Sequence, residues 1–573
     1  MEKTKEQEDT RDKDKRILTK RVIVFGLVLG TLFNFLGIYL SYKIGIAAIG
    51  GIFILGYILL KLTGEYNYKE NAAMMMIIGS MSLPTFGVTA NMAALVVFRD
   101  YLTYPVSLSI PLIMVTSFVG TILGVILLYP LRKQFLALRW PMVLPTATIV
   151  KVIGEKGGYL KKALYGLFSA MAVTIATFAT NLRTLKLKNM PSFIGFEISP
   201  LMFALGFFVS FAGSFLLLIG SIYGVLVWYF LEEAASDISI SAHIMNPAIF
   251  SVAIPMMVTT AIYSIYENKH VFIETLHNLK RNGNNKEGFI PDWIAFATLP
   301  LLPVLAFGGL LLVPDLVLSD ILDIEKIIIL ALPIVFISAI FLARARGEAG
   351  FSVSFTVDVV LILAAVLILP TLEDMLIAFA ILGSYESASL VFLNYMKFGQ
   401  LTEVPEKTVF KAIIIGIFPG VIVTALSIWA FQYLLGGLGT DVFPAPNAYA
   451  TGGYILGIIE AIGKGVIPPI YNPYLVIISV VLTIVLLQTF KRFKLKGFTP
   501  IILAIGMLIP PSYAFPVFLG GLYDLYLKWK NRESKELAQK EYENALVVLS
   551  GVASGEGIVL LLMTLATVVL LIL

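Results

Sequence analysis

Apolar runs recur along this chain from Val22 to Leu573, each about 20 residues long and so sufficient to cross a hydrocarbon core of about 30 Å. A backbone in that medium must satisfy its own hydrogen bonds, so the runs are read as helices and the chain as an all-α polytopic membrane protein. Composition agrees, with 58% hydrophobic and 14% charged residues among 573 and a mean hydropathy of +0.89. Spans are expected near Val22 to Leu40, Ile44 to Leu60, Ala72 to Phe98, Leu108 to Tyr129, Tyr159 to Thr180, Leu201 to Tyr229 and Pro247 to Ile265. A second series is expected near Trp293 to Leu312, Ile327 to Leu342, Val359 to Leu369, Met375 to Leu393, Val409 to Leu434, Ala448 to Ile462, Tyr474 to Leu487, Thr499 to Tyr526 and Leu546 to Leu573. The total is about 16 transmembrane helices. Leu201 to Tyr229 and Thr499 to Tyr526 have the length of either a hairpin of short helices or one tilted helix.

The two series align at a constant offset of 300: Ser199 with Thr499, Pro200 with Pro500, Gly206 with Gly506, Gly220 with Gly520 and Tyr223 with Tyr523, persisting to Ala253 with Ala553. Prolines and glycines in one ungapped register point to a duplication. The expected division is a disordered cytosolic tail at 1–21, a first transmembrane repeat at 22–266, a polar loop at 267–290 and a second repeat at 291–573. Two related halves are the usual build of a secondary transporter, with the substrate site at their interface.

Leu144 to Gly157 and Pro444 to Gly465 form a further matching pair, rich in proline and glycine. Proline removes a backbone donor, so broken or re-entrant helices lining a cavity are expected there. The candidate cavity residues are Pro145, Thr146, Thr148, Pro446, Asn447, Tyr449 and Thr451. Kinked helices at the membrane edge are the alternative reading. Tyr66 and Tyr68 fit an interfacial aromatic belt.

Three acids lie in or beside apolar stretches: Glu556 between Gly555 and Gly557, Glu386 beside Tyr385, and Asp358 before Val359. An intramembrane carboxylate is a functional-site hypothesis, and these three are the proton-coupling candidates. The structural alternative is a permanent pair with Arg344, Arg346 or Lys464. Glu460 and Lys464 stand at i and i+4 and so pair readily on one helix face.

Other chemistries lack their parts. There are no cysteines and only three histidines, His243, His270 and His277, so no thiolate site or multi-histidine metal cage is assembled. No glycine-rich phosphate loop precedes a lysine, and the net charge of +5 is dispersed, which leaves ATP-driven pumping and nucleic-acid binding without support. No cofactor or metal is expected. A channel would need a ring of pore residues, and an intramembrane enzyme a metal or nucleophile constellation. Basic clusters at Arg132 to Arg139, Arg183 to Lys188, Lys491 to Lys496 and Lys528 to Lys540 oppose an acidic stretch, Asp315 to Glu325. Charge alone leaves parallel and inverted repeats both open.

Tyr68-Lys69-Glu70-Asn71, Ser117-Phe118 with Gly120 leading to Pro130-Leu131-Arg132-Lys133, and Leu144-Pro145-Thr146-Ala147-Thr148 occur in an order that resembles the oligopeptide transporter family. Ile194 to Ser199, Phe443-Pro444-Ala445-Pro446, Phe518-Leu519-Gly520-Gly521 and Ala553-Ser554-Gly555-Glu556-Gly557 continue that order. The nearest flavour is a prokaryotic relative of the yellow stripe-like branch. Pro141 to Thr148 lacks the family's small Ser-Gly pair, and Asn394-Tyr395-Met396-Lys397 stands where a charged aspartate and lysine pair is common. The resemblance implies a multi-pass cell-membrane protein performing proton-coupled uptake of small peptides or metal-chelate, peptide-like substrates by alternating access. The expected partners are the lipid bilayer, that substrate and protons, with a homo-oligomer left open.

Overall fold

The structure is a computed structural model and describes residues 17–44, 52–155, 157–186, 194–230, 243, 246–267, 290–349, 368, 370–440, 443, 445, 447–448, 451–452, 455–456, 459, 472–495, 498–508, 511–530, 532 and 534–572. The first half holds α1 (Lys20–Ile44), α2 (Ile52–Leu62), α3 (Tyr68–Met81), α4 (Thr85–Val97), α5 (Ile110–Leu127), α6 (Leu144–Glu155), α7 (Gly157–Ala179), α8 (Pro200–Phe230) and α9 (Pro247–Glu267). The second half holds α10 (Asp292–Leu310), α11 (Leu318–Ala349), α12 (Leu372–Leu401), α13 (Glu406–Tyr433), α14 (Pro473–Arg492), α15 (Pro500–Leu508), α16 (Pro511–Lys530) and α17 (Lys535–Ile572). Among the described residues, 10 stretches are long and apolar enough to cross a membrane. Their sheet content is one short hairpin, β1 (Thr184–Lys186) antiparallel to β2 (Gly195–Glu197).

Two helix breaks fall at places the proline pattern did not single out. Pro145 does not break its segment: it lies in the first turn of α6, where a missing N–H costs nothing. The expected span from Ala72 to Phe98 is instead interrupted at Ser82 to Pro84, between α3 and α4. A buried polar knot closes that gap. Asn34 of α1 donates to the Met81 carbonyl at 2.9 Å and to Thr424 Oγ1 at 3.0 Å, and accepts from Thr85 at 2.6 Å. Neighbouring side chains thus satisfy groups freed inside the membrane. The second break is Ser210 in α8, at φ 78° and ψ 165°. There the Phe211 N–H donates to Asp524 Oδ2 of α16 at 3.3 Å.

Glycines make the contacts of α8 with α15 and α16. A methyl group at Gly206 would overlap the Val517 carbonyl, and one at Gly506 the Leu217 carbonyl. Likewise Gly220 meets Leu503, while Gly520 meets Phe203. Numbers rise along α8 as they fall along α15 and α16, so the duplicated helices run antiparallel about an axis perpendicular to them. That is the geometry an inverted repeat has.

Separate helix pairs exchange at the 300-residue offset, 120 with 381 against 420 with 81. Gly120 and Gly124 of α5 abut the Ile381 and Tyr385 carbonyls of α12, while Gly416 and Gly420 of α13 abut those of Ile77 and Met81 in α3. Gly166 of α7 packs on Val552 of α17, and Ser479 of α14 donates to the Val252 carbonyl of α9 at 2.6 Å. Such small-residue contacts hold helices together where lipid removes the hydrophobic drive. Gly520→Ala is expected to destabilise by at least about 1–3 kcal/mol through overpacking. Gly308→Ala, with open space around the added carbon, should leave the thermal midpoint in detergent unchanged. Equal midpoints for the two variants would refute the close-contact account.

Candidate functional site

Glu556 lies within α17 and is 1% exposed. Its neighbour Gly555 lets α17 approach the Leu167 carbonyl of α7, which brings the carboxylate to the start of α8. There it accepts from the Ser199 hydroxyl at 2.8 Å, from the Leu201 N–H at 2.9 Å and from the Arg183 guanidinium. Ser199 in turn accepts from the Met202 N–H at 3.2 Å. A carboxylate at a helix N-terminus meets orphan N–H groups and the positive end of the helix dipole.

The β-hairpin supplies the cation. Thr184 pairs with Glu197, and the Ile198 N–H donates to the Arg183 carbonyl at 2.8 Å, fixing Arg183 beside Glu197. Arg183 Nη2 lies 2.9 Å from Glu197 Oε1, and its guanidinium carbon lies 4.7 Å from the Phe178 ring centre. Burial pushes the Glu197 carboxyl above its ordinary range, against the opposing pull of Arg183 and a hydrogen bond from Tyr513. One arginine therefore holds two carboxylates, and α7, α8 and α17 meet at it.

Glu386 sits at the centre of α12 and is also buried. It accepts from the Ser338 hydroxyl of α11, and Arg346 lies within electrostatic reach, as does Tyr395 of Arg346. Of the cations expected to pair with an intramembrane acid, Arg346 lies beside Glu386. The Tyr395 hydroxyl abuts Gly79 of α3, and Lys397 donates to the Leu136 carbonyl at 2.5 Å. The neighbouring Tyr385 hydroxyl shares a 2.8 Å hydrogen bond with Thr298 of α10. Asp358 lies outside the described residues, as do Pro446, Tyr449, Glu460 and Lys464.

The paired segments lie at opposite ends of the broken α3–α4 span. Tyr66, just before α3, donates to the Val150 carbonyl of α6 at 3.0 Å, whereas Gly452 packs on Phe98, just after α4. An inverted repeat requires such opposite placement. Thr146 and Thr148 are half-buried, the latter donating to the Leu144 carbonyl at 2.8 Å. Asn447 is exposed and Thr451 half-buried, close to Ala445, whose N–H donates to the Tyr42 carbonyl at 2.7 Å. α6 packs against both α12 and α17, the helices that carry Glu386 and Glu556.

Tyr66 and Tyr68 have more specific duties than an aromatic belt. Tyr68 donates to Glu403 at 3.0 Å, and Lys151 of α6 reaches the same carboxylate at 2.6 Å. Those hydrogen bonds, the Lys151 one foremost, hold the exposed Glu403 carboxyl below its usual range. Arg183, Ser199, Ser338 and Asn34 were absent from the candidates read off the sequence. A signal existed for two of them, since Ser199 opens the 300-residue register and Arg183 opens a basic cluster.

Removing one member of a buried pair strands the other charge, at a cost of about 3–5 kcal/mol. Arg183→Met alone should therefore lower the thermal midpoint more than Arg183→Met combined with Glu556→Met. A double variant no more stable than the single one would show that the two groups are not energetically coupled.

No curated protein matches the chain significantly. The model of the OPT oligopeptide transporter protein matches residues 17–567, nearly the whole chain. A polytopic helical membrane protein covered end to end by that model belongs to the OPT oligopeptide transporter family.

Proposed function

We propose that the chain is a proton-coupled secondary transporter of the cell membrane that takes up small peptides or peptide-like metal chelates by alternating access. Membership of a transporter family supplies the broad class. The observation that carries the mechanism is the exchange of contacts between separate helix pairs, 120 with 381 against 420 with 81. Inverted repeats have two equivalent ways of packing around a central site, and rocking between them opens that site to either face in turn. In this reading residues 22–266 and 291–573 are the two moving units, and Thr146, Thr148, Asn447 and Thr451, with Pro145, Pro446 and Tyr449, line the route.

The surroundings of Glu386 and Glu556 give them different roles. Glu386, beside Arg346 and the Ser338 hydroxyl, is the proposed proton carrier. Asp358 remains a second candidate. Glu556 accepts from an arginine, a serine and a backbone N–H, an arrangement that also suits a fixed anchor between α17 and α8.

In proteoliposomes with an inward proton gradient, trialanine should accumulate, and a protonophore should abolish the accumulation. Glu386→Gln should lose gradient-driven accumulation yet keep trialanine exchange, which needs no net proton movement. Accumulation unaffected by the protonophore would reject proton coupling. In this cysteine-free chain, cysteines at Thr146 and Thr148 should react with a membrane-impermeant thiol reagent from one face, and those at Asn447 and Thr451 from the other. Reaction of all four from a single face would reject the opposed route.

A further inference from the structure

The surroundings of Glu556 have a counterpart in the other half. Subtracting 300, Thr499 corresponds to Ser199 and the start of α15 to the start of α8. The basic segments Leu185-Lys186-Leu187-Lys188 and Phe493-Lys494-Leu495-Lys496 match at an offset of 308, so Lys491 corresponds to Arg183. Neither carboxylate of the cluster has an equivalent: 556 less 300 is Met256, and 197 plus 300 is Gly497.

At that place the structure has a cavity of about 560 Å³ lined by Arg139, Arg344, Lys491, Thr499, Thr260 and Tyr263 among others. The described lining holds three cations and no Asp or Glu. Arg139 also reaches the hydroxyl of Ser210, the strained residue of α8, at 3.4 Å. Lys491 lies in the last turn of α14, where a helix end favours a cation, so its charge has a structural role as well. Three separate segments nevertheless bring positive charge to one hollow, and the N-terminus of α15 opens onto it through Thr499 and Ile502. Helix N-terminal amides with converging basic side chains are a general anion site.

We infer that this cavity binds the carboxylate of a transported substrate, in the position relative to α15 that Glu556 occupies relative to α8. The identity of the bound molecule as substrate rests on the transport reading above; the preference for an oxyanion does not. A phospholipid headgroup offers the same chemistry, since basic pockets between membrane helices also hold anionic lipids.

The test uses the full chain, which has no cysteine, with Thr499→Cys introduced. A sulfonate-bearing methanethiosulfonate reagent should modify that thiol at least about tenfold faster, relative to a trimethylammonium-bearing one, than free cysteine shows, because a basic cleft concentrates anions. Arg344→Gln and Lys491→Gln, each added singly, should reduce that preference. Trialanine should protect the thiol and trialanine amide should not, in phosphatidylcholine nanodiscs. Absence of charge preference overturns the anion site whether or not the chain transports peptides. Charge preference with protection only by phosphatidylglycerol overturns the substrate assignment in favour of a lipid headgroup. Charge preference without protection by either overturns it in favour of a merely basic rim. Failure of trialanine uptake alongside carboxylate-specific protection would reject the transport reading and leave the site standing.

Discussion

Backbone-to-backbone contact between the duplicated helices is the constraint on which the rest of this structure depends. Hydrocarbon gives leucine-rich helices no reason to leave lipid for one another, so association rests on close packing and on hydrogen bonds across the interface. Gly206, Gly220, Gly506 and Gly520 let α8 lie against α15 and α16 with carbonyls in direct contact. Because the contacts exchange between halves, each glycine has a partner doing the same job at the other end of the interface. The antiparallel course of these helices inverts one half relative to the other. The opposed placement of α6 and Gly452 about the α3–α4 span agrees with that.

Polar groups collect where this packing interrupts a helix. Asn34, Thr85 and Thr424 close the gap after Met81, and Asp524 accepts the N–H released at the Ser210 kink. Ser199, Arg183 and Glu556 do the equivalent at the start of α8. Each of these groups would be costly if left alone in a low-dielectric interior. Together they tie breaks and ends to specific neighbours, so each discontinuity has a defined geometry.

The helical, polytopic character was legible because apolar length is a sufficient signal for a span, and the 300-residue register was legible because glycine and proline are poorly interchangeable. Positions of breaks were not. Pro145 reads as a disruption until its place in the first turn of α6 is known, and Ser82 to Pro84 is hidden inside a methionine- and leucine-rich run. Glu556 stood out, but its partners did not, since Arg183 is 373 residues away and Ser199 is 357. The cavity was beyond reach for the same reason: Arg139, Arg344 and Lys491 come from three distant segments, each of which reads alone as a juxtamembrane cation. The direction of the repeats also needed contacts, because basic clusters at matching positions are compatible with either sense.

A perfectly twofold device would be as content in one conformation as in its mirror, since exchanging the halves converts one state into the other at no net free energy. Any resting bias must therefore reside in residues that differ between the halves. Glu556 and Met256 are such a pair: one end of the molecule carries its own anion against a helix start, and the matching end carries a thioether. On the transport reading proposed above, such a difference biases which face is favoured at rest.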